Sequence, residues 1–245
     1  MRSILLALFV LVALPVWAAT PEELSALDEQ FAQRGDAAVS KQLDEALKKA
    51  VEATPEDYEV LWRAARFRQW QGDGSSDAKV KKALGRQAWD LGERARRAAP
   101  TRIEGQYYAA LGIGVYSQAV GVLAALGEGL EGKFNERLDA AITMDPQFDR
   151  GGPLLAKGRY YYELPWPKRD LTKSANLLRK VTDTHPERLR AWMYLAETLL
   201  ADGQEKKAQE AILKVFQSKG ADPAEDQRVQ GLSKKVQVAI EEKLK

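Results

Sequence analysis

One spacing recurs four times in this 245-residue chain and limits its fold more than any other feature. A small or apolar stripe runs through a helix-forming segment, and a proline follows five residues after the last member of the stripe. The four copies are Leu43-Leu47-Ala50-Pro55, Ala88-Gly92-Ala95-Pro100, Phe134-Leu138-Ala141-Pro146 and Ser174-Leu178-Val181-Pro186, each with spacings of 4, 3 and 5. Residues three and four apart share one face of an α-helix, so each stripe needs a partner to cover it. Proline cannot continue a helix but fits the first turn of the next one. A second helical segment follows each proline: Tyr58–Gln71, Ile103–Val115, Asp149–Leu164 and Leu189–Ala201. Alternating β-branched runs are missing, and Pro and Gly fall between segments. The pattern predicts an all-α chain built as a series of antiparallel helix pairs.

The start of the chain predicts where it goes. Arg2 precedes an uncharged apolar run from Ile4 to Leu14, then Pro15, Val16, Trp17, Ala18 and Ala19. This has the layout of a secretory signal peptide, and the run is shorter than the roughly 20 residues that span a bilayer. Val16 and Ala18 suit the two recognition positions, so cleavage is expected after Ala18, with a cut after Ala19 or retention as an uncleaved anchor as the alternatives. With no cysteine to carry a lipid, and none for disulfides, the expected location is a bacterial periplasm. Zero Cys also excludes thiolate metal sites and Cys nucleophiles, and a single His, His185, excludes a multi-His metal site. Lys+Arg of 37 against Asp+Glu of 35 gives a net charge of +2, without the basic excess of a nucleic-acid binder. No phosphate-binding loop or nucleophile elbow is present, and no G-x-G-x-x-G is followed by the elements a dinucleotide site needs. Asp183 stands near His185, but at an inter-repeat turn. The expectation is therefore no cofactor, no metal, no catalytic residue and no enzyme.

The segment after Pro186 reads Trp192-x2-Leu195-Ala196-x2-Leu199, then Gly203, Ala208 and Ile212. It resembles the tetratricopeptide repeat, whose small residues sit where two helices cross closely. Earlier repeats are degenerate, and the proline-to-proline spacings are 45, 46 and 40 in place of 34. The resemblance implies a right-handed superhelix of helix pairs. Its expected boundaries are a signal peptide at 1–18 and one domain at 19–245. The pairs fall at about 21–57, 58–102, 103–148, 149–188 and 189–220, with a capping helix at 223–245. Within it, Asp145-Pro146-x-Phe148-x2-Gly151-Gly152-Pro153 and Gly158-Arg159-x-Tyr161-x2-Leu164-Pro165 look like the periplasmic T-component family of TRAP transporters. That likeness implies an accessory protein that partners a solute-binding protein, although this chain lacks the lipid-bearing Cys common in the family.

The inner wall of such a solenoid comes from the first helix of each pair. The resemblance places Trp62, Arg66 and Trp70 there, then Tyr107, then Arg150, Lys157, Tyr160 and Tyr161. Tyr108, Tyr116 and Arg159 join them as candidates, Tyr108 and Tyr116 through a cavity beside Tyr107, Arg159 through a local positive patch. Aromatic and Arg side chains are the types that anchor a partner. The expected partner is a protein or peptide, with a small apolar or organic-acid ligand as a further occupant, no nucleic acid and peripheral membrane contact at most. Gln106 to Leu126 carries no charge and is diluted by Gly112, Gly114 and Gly121, which predicts a closely packed buried helix pair. The alternatives are a membrane-embedded protein through 106–126, or an envelope enzyme using carboxylates. The tail carries Val229, Leu232, Val236, Ala239, Ile240 and Leu244 on one stripe and is expected to cap the array.

Overall fold

A computed structural model describes residues 18–245; the expected export segment lies outside these residues except for Ala18. The described residues form twelve helices and no strand. They are α1 (Pro21–Ala32), α2 (Ala37–Ala53), α3 (Tyr58–Gly74), α4 (Ala78–Ala98), α5 (Ile103–Val120), α6 (Val122–Gly127), α7 (Leu130–Met144), α8 (Phe148–Glu163), α9 (Leu171–Thr184), α10 (Leu189–Ala201), α11 (Glu205–Gln217) and α12 (Pro223–Lys243). The fold is all-α, as the spacing of the prolines predicts. Pro55, Pro100, Pro146 and Pro186 each lie in a short turn between two helices. Asp36, Asp57, Asp77, Asp170 and Asp222 stand before α2, α3, α4, α9 and α12, and each carboxylate accepts a backbone N–H of the first turn. Such caps stabilise a helix by about 1 kcal/mol each.

Ten of the twelve stripe residues are buried, and Ala50 and Phe134 are half-buried. Leu43, Leu47, Ala88, Gly92, Ala95, Leu138, Ala141, Ser174, Leu178 and Val181 are all buried. The most extensive helix contact is α4 with α5. A methyl group added at Gly85, Gly92 or Gly105 would stand 2.5 Å from the backbone nitrogen of Tyr116, Ala109 or Arg96 respectively, and one at Gly112 would overlap Trp89. Hydrogen alone fits there, so the two helices touch backbone to backbone along their length. This accounts for the uncharged stretch from Gln106 to Val115, most of which is buried against α4. From Ser117 to Leu126 the stretch is mostly half-buried or exposed, with Leu123 74% exposed, so the expected buried pair holds for α5 and not for α6. No helix of the described residues is long and apolar enough to cross a membrane.

The last helix packs less regularly than its stripe suggests. Val229, Ser233 and Ile240 are buried, whereas Leu232 is 45% and Leu244 37% exposed. The helix is covered on one side by α10 and α11, and its contact line passes through a serine. α3 runs on to Gly74 and carries Asp73 at its end.

The two ends of the array meet. Arg34, just after α1, is 4% exposed and its Nη2 lies 2.6 Å from Asp222 Oδ2 at the start of α12. Arg228 on α12 donates to the Trp70 carbonyl at 2.9 Å and stands 3.6 Å from Asp73. Arg190 on α10 faces Asp73 at 3.0 Å and donates through Nε to Glu225. These pairs clasp α1 and α3 to α10 and α12, bending the stack into a ring. Burial alone would raise the Asp73 and Asp222 carboxyls. Arg190 and Arg228 beside the first, and Arg34 beside the second, instead hold both below the usual carboxylate range.

The close crossing sets two glycines apart. Gly92→Ala is expected to destabilise the protein by about 2–3 kcal/mol through overpacking. Gly114→Ala, whose added carbon would meet only the Phe134 ring at 3.6 Å, is expected to be neutral or stabilising by up to about 1 kcal/mol. Urea unfolding of both variants checks the contrast, and equal destabilisation would contradict the close crossing. For the clasp, the depressed carboxyls contribute stability in full above their unfolded value of about 3.9, and lose it as pH falls through their lower folded values. Asp73→Asn is expected to cost about 3 kcal/mol at pH 7 by leaving buried guanidinium charge uncompensated. The same variant should show a shallower loss of stability below about pH 4 than the parent chain, read from denaturant midpoints across pH.

Candidate functional site

The ring encloses a cavity of about 380 Å³ whose wall draws on helices from α1 to α12. One part of the wall is apolar: Leu111, Val122, Ala125, Leu126, Leu130 and Phe134, from α5, α6 and α7. Another part is polar, formed where α3, α8, α10 and the two chain ends converge. Among the described residues no group of three or more His, Asp or Glu is placed to hold a metal.

The polar part is organised by an unusual turn at the start of α8. Asp149, Arg150 and Gly151 take φ values of 49°, 55° and 72°, three successive left-handed residues. Only glycine adopts this region freely, so Asp149 and Arg150 are strained, at about 1–3 kcal/mol each. Their neighbours hold them in place. Arg188 donates to the Asp149 carbonyl at 2.7 Å and to its carboxylate at 3.1 and 3.2 Å, and Tyr107 donates its hydroxyl to Asp149 Oδ2 at 3.1 Å. A side chain at Gly152 would collide with that hydroxyl, and Pro153 then starts the regular helix. Burial pushes the Tyr107 phenol well above its usual range, and the Asp149 charge adds to this, so it remains a proton donor. Burial opposes the charge on Arg188, but Asp149 beside it outweighs that effect and keeps it protonated.

The side chains singled out in the sequence divide into two sets. Arg66, Trp70, Tyr107, Tyr108, Arg150, Arg159 and Tyr160 all line the cavity. Arg66 stacks over Phe31 at 3.8 Å and pairs with Asp28 at 2.5 Å. Arg159 pairs with Glu163 and Glu197, both at 2.5 Å. Tyr160 donates to Glu131 at 2.8 Å, and burial pushes its phenol up to about 12. The other four stand outside the wall. Trp62 is buried and stacked on Tyr108, with ring centroids 6.1 Å apart. Tyr116 meets Trp89 edge-on at 6.3 Å. Lys157 turns toward α7, where it reaches Asn135 and Asp139 at 2.8 and 2.7 Å. Tyr161 packs edge-on against Tyr160 at 5.2 Å. The repeat positions implied by the resemblance put Trp62, Lys157 and Tyr161 on the inner face, and the cavity expected beside Tyr107 put Tyr116 there. The bent start of α8 and the closeness of α4 to α5 decide which of them reach it.

The wall also holds residues that the spacing did not single out. Phe31 lies between the guanidinium groups of Arg34 and Arg66, at 4.1 and 3.8 Å. Asp73, Arg188, Asp222 and Glu225 complete the polar part. The signal for Asp222 was local, since Asp-Pro before a helical run marks an N-cap. Nothing local marks it as the partner of Arg34, 188 residues away.

Comparison with known proteins agrees with this architecture. A thermophilic TPR protein of Thermus thermophilus superposes with a TM-score of 0.66 at 17% identity, covering 88% of this chain and 99% of its own. That likeness shows a tetratricopeptide-like fold. Yeast Tom70 aligns at 16% identity over 88% of this chain and 58% of its own, with a TM-score of 0.35, too low to add to the comparison. No curated protein matches the chain. Residues 24–174, more than half of the chain, match the model of the family described as regulator of microtubule dynamics protein 1-3, and the chain belongs to that family.

Proposed function

We propose that this chain is a non-enzymatic binding scaffold of the bacterial periplasm that holds a protein or peptide partner at the mouth of its central cavity. The observation that carries this reading is the convergence of Arg66, Trp70, Tyr107, Tyr108, Arg150, Arg159 and Tyr160 on one concavity. Aromatic and guanidinium groups in a partly desolvated wall are the usual anchors of an interface. Tetratricopeptide-like folds generally serve as such scaffolds, and catalysis has no support among the motifs. The family's description names regulation of microtubule dynamics. The export-type start of this chain instead favours a partner outside the cytoplasm.

Two further observations refine the proposal. The backbone N–H of Ala19 donates to Asp57 Oδ2 at 2.8 Å. Cleavage after Ala18 would place a free ammonium at that nitrogen and turn the contact into an ion pair, anchoring the mature end. Asp149, Gly152 and Arg159, which belong to the segment resembling TRAP T-components, form part of the cavity wall. The finer form of the proposal is therefore that the partner is a periplasmic solute-binding protein of a TRAP-type system.

Osmotic shock is expected to release the protein without detergent, with Ala19 as its first residue on N-terminal sequencing. Immobilised protein is expected to retain a partner from periplasmic extract, and Trp70→Ala is expected to reduce retention at least tenfold while leaving the circular dichroism unchanged. Equal retention by the parent and the variant would remove the cavity mouth as the binding surface.

A further inference from the structure

We infer that the cavity is also a small-molecule site, for an amphiphilic acid: one carboxylate on an alkyl or aryl body. This goes beyond partner binding and uses the purified chain alone.

The first observation concerns donors. Arg34 Nε, Arg66 Nε, Trp70 Nε1, Arg150 Nε, Arg159 Nε and Arg188 Nε are buried and find no acceptor among the described residues. All six side chains line the cavity. A seventh unpaired nitrogen, Arg190 Nη2, also belongs to the wall but has Asp73 3.0 Å away. The remaining unpaired atoms, Gln30 Oε1, Gln106 Oε1 and Ser233 Oγ, lie outside the wall. These nitrogens expose almost no surface to the cavity, so they mark the wall as short of partners, and the groups a guest can reach are the outer guanidinium nitrogens. Arg150 is the least engaged. Asp149 and Asp222 stand 3.9 Å from its Nη2, beyond hydrogen-bond reach, and its side chain forms part of the cavity wall.

The second observation concerns charge and apolarity. Six acids of the wall, Asp73, Glu131, Asp149, Glu163, Asp222 and Glu225, balance its six arginines, so the cavity is no general trap for anions. What it lacks is an acceptor within hydrogen-bond reach of the Arg150 guanidinium. A carboxylate supplies several acceptor sites and forms charge-assisted bonds with guanidinium groups. An alcohol supplies fewer, and an ammonium none. The adjoining surface of Leu111, Val122, Ala125, Leu126, Leu130 and Phe134 calls for an apolar body attached to that head. The volume falls within the range of small-molecule sites.

Calorimetric titration of the full chain with decanoate, decanol and decyltrimethylammonium tests the inference. Decanoate is expected to bind saturably, one to one, and at least tenfold more tightly than either neutral or cationic analogue. Arg150→Gln is expected to weaken decanoate at least tenfold with unchanged circular dichroism. Ala125→Phe, which fills the apolar part, is expected to weaken it comparably without touching the polar groups. If Arg150→Gln fails to fold, the headgroup series and Ala125→Phe decide the matter. No saturable decanoate binding, equal binding of the three compounds, or decanoate binding that neither variant weakens would overturn the inference. Binding to phosphatidylglycerol vesicles without uptake of free decanoate would overturn it as well, placing the acid's attraction at a membrane surface. Failure to retain a periplasmic partner leaves this titration unaffected, so the two readings fail separately.

Discussion

The contact on which the rest of the molecule depends is the backbone-to-backbone crossing of α4 and α5. Gly85, Gly92, Gly105 and Gly112 remove the side chains that would otherwise hold these helices apart. The approach packs Ala88, Ala95, Ala109 and Ala110 without solvent access. It also fixes the direction in which α5 points Tyr107 and Tyr108 into the ring. A wider crossing would carry α5 and its tyrosines away from α3 and α8, and with them the stack of Trp62 on Tyr108. Dispersion and apolar burial stabilise such an interface only when the gap is closed, so its geometry leaves little freedom.

Charge arrangement follows from that geometry. Arg188 holds Asp149 in a strained turn, and Arg190 is shared between Asp73 and Glu225. Buried ion pairs of this kind contribute little net stability compared with apolar packing, but breaking one is costly. Their role here is to set position: they fix how the first and last helices meet and which guanidinium groups face the interior. The molecule combines a core that is apolar and locally connected with a cavity wall that is polar and formed by distant parts of the chain.

This division explains what could be read in advance. Helix pairing was legible because proline acts on its own neighbours and the stripe Leu43-Leu47-Ala50 or Ser174-Leu178-Val181 repeats within one helix. The buried character of 106–115 was legible because absence of charge combined with glycine admits few other fates, but the same reading failed over α6, where Leu123 is 74% exposed. Within the site, position along the helix brought Arg66, Trp70 and Tyr107 to the wall but misplaced Lys157 and Tyr161. Those two belong to a helix whose first turn is left-handed, and no residue rule assigns that conformation to Asp149 and Arg150. Arg34, Asp73 and Asp222 carried no signal of their pairing because their partners are far away in sequence. The terminal stripe misled at Leu232 because α12 is covered from one side only.

Repeat stacks commonly change length by gaining or losing a unit, since each unit touches only its neighbours. In this molecule Arg34 meets Asp222 and Asp73 meets Arg190 and Arg228, so the first unit touches the last. One extra hairpin would shift the far end by a full step and separate every one of those partners. The number of repeats is thereby locked, and evolution of this scaffold must proceed by exchanging side chains inside the circle rather than by lengthening it.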